Sequence, residues 1–463
     1  PVDLVVGTIT VPANGVPGRT ATLDYEVQNL SDTSTLSGRW HDNLYISADD
    51  QWDLDDPLFA QEQVNATVGP EGTYSRSVSA PLPGVLPGDY HVILRTDIRN
   101  TVPEVDDDNN LGASLNQMTL DAEALTLGVP SSGNLGEGRS AFYKVDVAAD
   151  ETFRVTFDSA WASAFNELYV REGQVPSRTN FDYQMDQSFV ADPSVLVPAS
   201  AGGTYYILAY ADRASDSLPE RDYEILAEII PFTIEDVEAD EVGNVGTVTL
   251  QINGARFEPD VDFHLLDPAG GQYDAADVFY TDSTEAYATF DLNGAPIGFY
   301  DVVAVLPDEA TSTTLADGLE VVTGEGPEIY TDARGPGKVR TDRFNAFDII
   351  YQNSGDTDSV APLLEIAVPE HTAMGFNAED LRRGLPLHVL GASEQGRVNV
   401  LRPDEFDSVT VSFQTDAGAH EFVPFRTTAI ESDDLRVIDD WEGIEETIRP
   451  ADMTDSEWET FWG

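Results

Sequence analysis

Five aspartates stand within eight positions in YISADDQWDLDDPLFAQ (residues 45–61): Asp49, Asp50, Asp53, Asp55 and Asp56, wrapped around Trp52. Calcium takes about six to eight oxygen ligands, and loops dense in carboxylates supply them. The order is not that of an EF-hand, because D-x-D-x-D-G and its distal Glu are missing. Asp49, Asp53 and Asp56 nevertheless recur at i, i+4 and i+7. A second acidic segment runs from Glu104 to Asn110. In a β-sandwich, segments far apart in sequence can meet at one end. Asp97, Glu104 and Asp107 would then complete a site shared with the loop, with Trp52 packing the loop against the core. The expected ligand set is Asp49, Asp53, Asp55, Asp56, Asp97, Glu104 and Asp107, and the expected cofactor is structural calcium. The bland alternative is a solvated face, since IEDVEADEV (234–242) and ESDDL (431–435) are equally acidic without ligand-like order. Clustered like charges repel without a counterion, which favours the metal loop.

Other chemistry is hard to find. No two of the six histidines flank a glutamate at metalloprotease spacing, and there is no G-x-S-x-G elbow or Walker loop. LGEGR (135–139) and TGEGPE (323–328) read as turns between domains. Cysteine is absent, which removes disulfides, thiolate metal sites and cysteine nucleophiles. Paired carboxylates for glycoside hydrolysis could arise from any two acidic residues, but no deep-cleft scaffold is suggested. No enzyme activity is expected.

The charge balance is extreme: 84 Asp+Glu against 24 Lys+Arg, a formal net charge of -60. Such a chain repels nucleic acid and anionic lipid. Adaptation to salty water, in a halophilic or marine setting, and calcium binding both account for it, and the two are compatible. No apolar run reaches the roughly 18 residues of a membrane span. Pro1 opens directly on a strand without a signal peptide, which reads as a mature product or an excised fragment.

The elements that would position these residues are strands. In TATLDYEVQNL, Leu23, Tyr25 and Val27 alternate with Asp24 and Glu26, giving one buried and one wet face. VDLVVGTITV, GRWHDNLYISA, TYSRSVSAPLP, GDYHVILRTDI and SLNQMTL complete a first unit over 1–121, separated by turns such as PANG and PGD. Further all-β units are expected at 124–229, 230–323 and 324–431. An acidic aromatic tail follows at 432–463, with Trp458, Phe461 and Trp462 at helical spacing. The fold class is all-β: tandem Ig-like or jelly-roll-like sandwiches with a short C-terminal helix. TATLDYEVQNLSDT (20–33) and NAFDIIYQNSGDT (345–357) echo each other, which suggests two related sandwiches. Asn29-Leu-Ser31 and Asn65-Ala-Thr67 are glycosylation sequons.

On PVDLVVGTITVP, the VQN strand end, YISAD and GDYHVILRTDIRNTVPEVDDDNN, residues 1–121 resemble the bacterial cell-adhesion-related domain CARDB. AFYKVDV, NELYVREGQVPS and GGTYYILAY are similar to the bacterial pre-peptidase C-terminal domain. VTLQINGARFEPD and GFYDVVAVLPD resemble IPT/TIG Ig-like domains, and the fourth unit resembles another surface Ig-like module. These resemblances imply an extracellular, secreted or surface-attached protein: an adhesin stalk or filament subunit stiffened by calcium. Its implied partners are other copies of itself or further domains of a longer surface protein. The alternative is an accessory region that binds polysaccharide or matrix on behalf of a larger secreted enzyme or an RHS-type surface protein.

Overall fold

The computed structural model describes residues 1–185, 187–214, 220–239, 241–308, 310–360, 362–391, 393, 400–418 and 422–430. Every regular element among them is a strand. The tail for which a helix is expected, 432–463, lies outside the described residues. The chain divides into two compact units, Pro1–Ile230 and Pro231–Gly463.

The first unit opens with a sandwich of two antiparallel-dominated sheets. Thr20–Asn29 sits between Leu4–Thr10 and Thr73–Pro81 in one of them. In the other, Leu36–Ser47 lies between Gly88–Arg95 and Leu58–Val68. Leu23, Tyr25 and Val27 all point inward, as their alternation requires, and meet Trp40, Leu44 and Val64 from the facing sheet. The Leu58–Val68 strand was not anticipated from sequence. It is a sheet edge whose outward positions carry Gln61, Gln63 and Asn65, so only Phe59, Val64 and Val68 show its inner face.

A second sandwich follows in the same unit. Gly203–Ala214 lies between Arg139–Val147 and Ala164–Glu172 in one sheet, and Arg221–Ile229 lies beside Phe153–Ser159 in the other. The chain passes between the sandwiches through Glu123–Ala124, which adds a parallel edge to Tyr143 and Lys144. The joint is tight. Gly18 has φ 84°, and a Cβ there would sit 2.3 Å from the Ser140 carbonyl oxygen. Lys144 closes the linker with a 2.7 Å ion pair to Asp121.

The second unit holds two further sandwiches. In the third, Thr247–Ala255 pairs with Glu285–Asp291, facing a sheet built around Gly298–Val305. In the fourth, Asn345–Asn353 lies between Ile329–Arg334 and Phe406–Thr415. Their joint is polar and buried. Asp358 Oδ1 accepts from the Thr249 amide (2.8 Å) and Oδ2 from the Thr249 hydroxyl (2.7 Å). The Arg402 guanidinium lies 4.7 Å from the Tyr287 ring centroid and donates to Gln251 Oε1 at 3.1 Å.

The sequence echo has a structural cause. Asn29 and Asn353 are both fully buried at the end of their strands. Asn29 Nδ2 donates to the carbonyls of Ser34 and Gly69, and its Oδ1 accepts from the amides of Asp3 and Ser31. Asn353 Nδ2 donates to the carbonyls of Thr357 and Leu401, and its Oδ1 accepts from the amides of Glu328 and Gly355. Each amide pins its own turn to two neighbouring segments. The same polar corner is thus built twice, in the first and fourth sandwiches. The Asn29 sequon is therefore structural, whereas Asn65 is exposed.

Candidate cation-binding end of the first sandwich

One end of the first sandwich rests on a buried carboxylate. Asp42, on Leu36–Ser47, is wholly inaccessible to solvent. It accepts from Tyr25 Oη, Tyr74 Oη and Thr96 Oγ1, each at 2.8 Å, and from the Asp97 amide at 3.3 Å. Trp40 Nε1 donates to Tyr74 Oη at 3.0 Å, tying the network to the core. Burial pushes the Asp42 carboxyl above the usual carboxylate range, against the opposing effect of these hydrogen bonds. Burial, and then the Asp42 charge, raises both tyrosines above their ordinary values.

Asp97 follows directly, in the left-handed region at φ 41°. Its Oδ1 accepts from Thr101 Oγ1 (2.8 Å) and its Oδ2 from the Val102 amide (2.7 Å), which fixes the turn into the acidic segment. Glu104 closes that segment onto the N-terminal strand: Oε2 accepts from the Leu4 amide at 2.5 Å and Oε1 from Asn110 Nδ2 at 3.0 Å. Its carboxyl is also raised, first by burial and further by the charges of Asp97 and Asp107.

Two oxygens here are stranded. Asn109 Nδ2 donates to Asp3 Oδ1 at 2.8 Å, and Asn110 Nδ2 donates to Glu104. Their Oδ1 atoms are buried without a hydrogen-bond partner. Flipping either amide would set its oxygen against a carboxylate, so the hydrogen-bond network identifies the orphans as oxygens. A buried polar atom without a partner costs about 1–3 kcal/mol.

Beside them lies a cleft of about 300 Å³, whose lining includes Trp52, Arg95, Asp97, Asp107, Asp108 and Asn110. The Arg95 guanidinium stacks 3.9 Å from the Trp52 ring centroid, and Trp52 in turn meets Tyr45 edge-on at 5.9 Å. Trp52 therefore packs on strand residues at the rim rather than inside the core.

The structure divides the ligand set expected from sequence. Asp97 and Asp107 line the cleft, and Glu104 is hydrogen-bonded to Asn110, which lines it. Asp49, Asp53, Asp55 and Asp56 are absent from its lining, where the loop supplies only Trp52. The reason is local. Asp49 Oδ1 accepts from the Gln51 amide (2.8 Å), and Asp56 Oδ2 accepts from the Asp53 amide (2.8 Å), so these carboxylates form turns. Among the described residues, no three His, Asp or Glu side chains converge as a metal-ligating group. The donors at the cleft are carboxylate and amide oxygens, a set suited to a hard cation such as calcium rather than to a soft metal. Sequence reasoning missed Asp42, Asn109 and Asn110. An aspartate on the inward face of a strand otherwise reading as core was the available signal for the first.

Residues 1–114 match the CARDB family model. No curated protein matches the chain. Among solved structures, a CARDB domain from Pyrococcus furiosus in complex with di-metal ions is 20% identical; the match covers 26% of this chain and 89% of that one, at TM-score 0.20. The SGBP-B protein of a Bacteroides ovatus mixed-linkage glucan utilization locus, in complex with a mixed-linkage heptasaccharide, is 9% identical over 89% of this chain and 99% of that one, at TM-score 0.19. The I9–I11 tandem of titin is 9% identical over 68% and 100%, at TM-score 0.15. None of these likenesses bears on function.

Proposed function

We propose that this chain is a non-catalytic row of β-sandwiches from an extracellular or surface-displayed protein, working as an adhesion stalk or filament subunit, with calcium stiffening the acidic end of its first sandwich. The observation that carries the calcium reading is the pair of stranded Asn109 and Asn110 oxygens in the segment that holds Glu104 and Asp107. A divalent cation would take up orphan oxygens and relieve repulsion among Asp97, Glu104 and Asp107 together. The tight joints at Gly18 and at Asp358 support semi-rigid spacing of neighbouring sandwiches within each unit.

The test is a thermal melt in calcium against chelator at fixed ionic strength, with magnesium as control. A site filled to 100 times its Kd adds about 2.7 kcal/mol to the domain holding it. Asp107→Ala should abolish the calcium-specific rise. Asp49→Ala/Asp53→Ala should leave it in place, because those carboxylates do not line the cleft. An equal response to magnesium or sodium, or a rise that survives Asp107→Ala, would refute the assignment.

One observation favours polysaccharide binding as a second reading. Phe165 and Phe189 are exposed on the second sandwich with ring centroids 5.9 Å apart, and Trp161 is exposed nearby in sequence. Such rings can stack on sugar faces. Retardation in polysaccharide-containing native gels that disappears in Trp161→Ala/Phe165→Ala would support it.

A further inference from the structure

One sheet of the fourth sandwich carries a row of rings on its outer face. Tyr330, on Ile329–Arg334, stands opposite Gln352 of Asn345–Asn353, and Gln352 stands opposite Phe406 of Phe406–Thr415. Residues directly opposite in antiparallel strands share a face. Phe347, Ile349 and Tyr351 fill the inner face, so by alternation the row lies on the outer one. Both rings are open to solvent: Tyr330 is 56% exposed and Phe406 70%. They stand two strands apart, roughly 10 Å. Between them, Gln352 Nε2 reaches the Asp404 carbonyl at 3.4 Å.

The row ends at a crevice. Phe406 also lines a cavity of about 530 Å³ between the third and fourth sandwiches, whose walls include Glu238, Arg402, Asp404 and Asp407. That volume falls in the roughly 300–1,000 Å³ range of built binding pockets. Arg402 is only 8% exposed. Its Nη1 donates to Gln251 Oε1 and its Nη2 to Glu405 Oε1, each at 3.1 Å. Among the described residues its Nε–H is buried with no acceptor. The walls therefore combine an unmet donor with carboxylate acceptors. A cation would satisfy the carboxylates and leave the donor; an anion would satisfy the donor and be repelled by the carboxylates. A hydroxyl both accepts and donates. A sugar brings hydroxyls around its edge and an apolar C–H face for the rings, whose π-faces are electronegative.

We propose that this outer face binds a neutral polysaccharide chain, stacked on Tyr330 and Phe406 and entering the crevice, where its hydroxyls meet Arg402, Glu238 and Asp407. The charge of the protein narrows the class: at -60 it repels polyanionic glycans. The separation of the rings selects an oligosaccharide stretch over a single sugar. The ligand class is that of the second reading above, but the site lies in the other unit and shares no residue with Trp161, Phe165 and Phe189, so either site can fail without the other.

The test is affinity electrophoresis of the full chain in native gels containing hydroxyethylcellulose, galactomannan, dextran or soluble starch, with polygalacturonate as the anionic control. All variants are made in a Trp161→Ala/Phe165→Ala background, which silences the second-sandwich rings. Retardation should persist in that background in at least one neutral gel and be absent from polygalacturonate. Adding Tyr330→Ala/Phe406→Ala should lower the association constant at least tenfold, with an unchanged circular dichroism spectrum because both rings are exposed. Glu238→Ala should lower it at least threefold through the crevice. Phe299→Ala, an exposed ring of the third sandwich outside the row, should leave it unchanged. No retardation in any neutral gel would overturn the proposal. So would retardation that Tyr330→Ala/Phe406→Ala leaves intact, or that Trp161→Ala/Phe165→Ala alone abolishes; the last would place all binding on the second sandwich.

Discussion

Replacing Asp42 tests whether the first sandwich is organised around its buried carboxylate. In Asp42→Ala, Tyr25 Oη, Tyr74 Oη, Thr96 Oγ1 and the Asp97 amide lose their acceptor together. Tyr74 and Thr96 lie 3.0 Å apart and can still bond each other. Three donors, Tyr25 Oη, the Asp97 amide and one hydroxyl of the Tyr74–Thr96 pair, remain stranded at about 1 kcal/mol or more each. With the cavity added, the expected loss is about 3–5 kcal/mol. Asp42→Asn is milder. Its Oδ1 can keep Thr96 and Asp97, and its amide can donate to both tyrosine oxygens, leaving only the Tyr25 proton without an acceptor. Removing a buried charge offsets part of that, so the loss is about 1–2 kcal/mol. At roughly 3–6 °C per kcal/mol for a domain of this size, Asp42→Ala should melt on the order of 15 °C lower. The pH dependence has a definite sign. Because the folded-state carboxyl is raised, its contribution is fully present below the unfolded value of about 3.9. That contribution is lost as pH rises through the folded value. Asp42→Asn should flatten this fall, leaving the similarly signed part due to Glu104. The assay is amide hydrogen exchange of Leu36–Ser47 in the full chain, read against denaturant and pH. Equal protection in Asp42→Ala and the parent would refute the reasoning.

The twin corners should respond alike: Asn29→Ala and Asn353→Ala each lose four hydrogen bonds at a buried strand end. Each should cost its own sandwich about 2–4 kcal/mol by local hydrogen exchange, leaving the other sandwich unchanged. Asp358→Ala frees both Thr249 donors, so the third and fourth sandwiches should lose joint cooperativity, seen as separate calorimetric transitions. Gly18→Ala places a Cβ against the Ser140 carbonyl at a positive φ and should destabilise the joint in the first unit by about 1–3 kcal/mol, measured by protease susceptibility of the linker around residue 122.

The alternation of Leu23, Tyr25 and Val27 made the all-β architecture readable, because a period of two has one structural meaning on a half-buried sheet. The Leu58–Val68 edge was not readable, since an edge strand needs few apolar residues and its glutamines resemble a loop. The repeated Gln-Asn strand end was visible as an echo, but the cause was not. Two of the four hydrogen bonds at each corner go to segments remote in sequence, and these leave no local pattern. At the acidic end, Asp97 and Asp107 line one cleft, and Glu104 is hydrogen-bonded to Asn110, which also lines it. Asp49, Asp53, Asp55 and Asp56 lie outside the lining of that cleft, and aspartate is as well suited to capping a backbone turn as to binding calcium, so spacing alone does not separate the two uses. Asp42 was hidden among 84 acidic residues.

The buried Asn29 has a bearing on how the protein is made. Its Asn-Leu-Ser tripeptide satisfies the acceptor rule for N-linked glycans, which in a glycosylating secretory pathway are attached to chains that have not finished folding. A sugar on that nitrogen would replace one of the two N–H donors that reach the Ser34 and Gly69 carbonyls and could not fit the closed corner. The first sandwich would be trapped open. Asn65, exposed on its edge strand, would accept the same sugar without conflict. Production in a glycosylating host should therefore give two populations, a folded one bare at Asn29 and a misfolded one modified there.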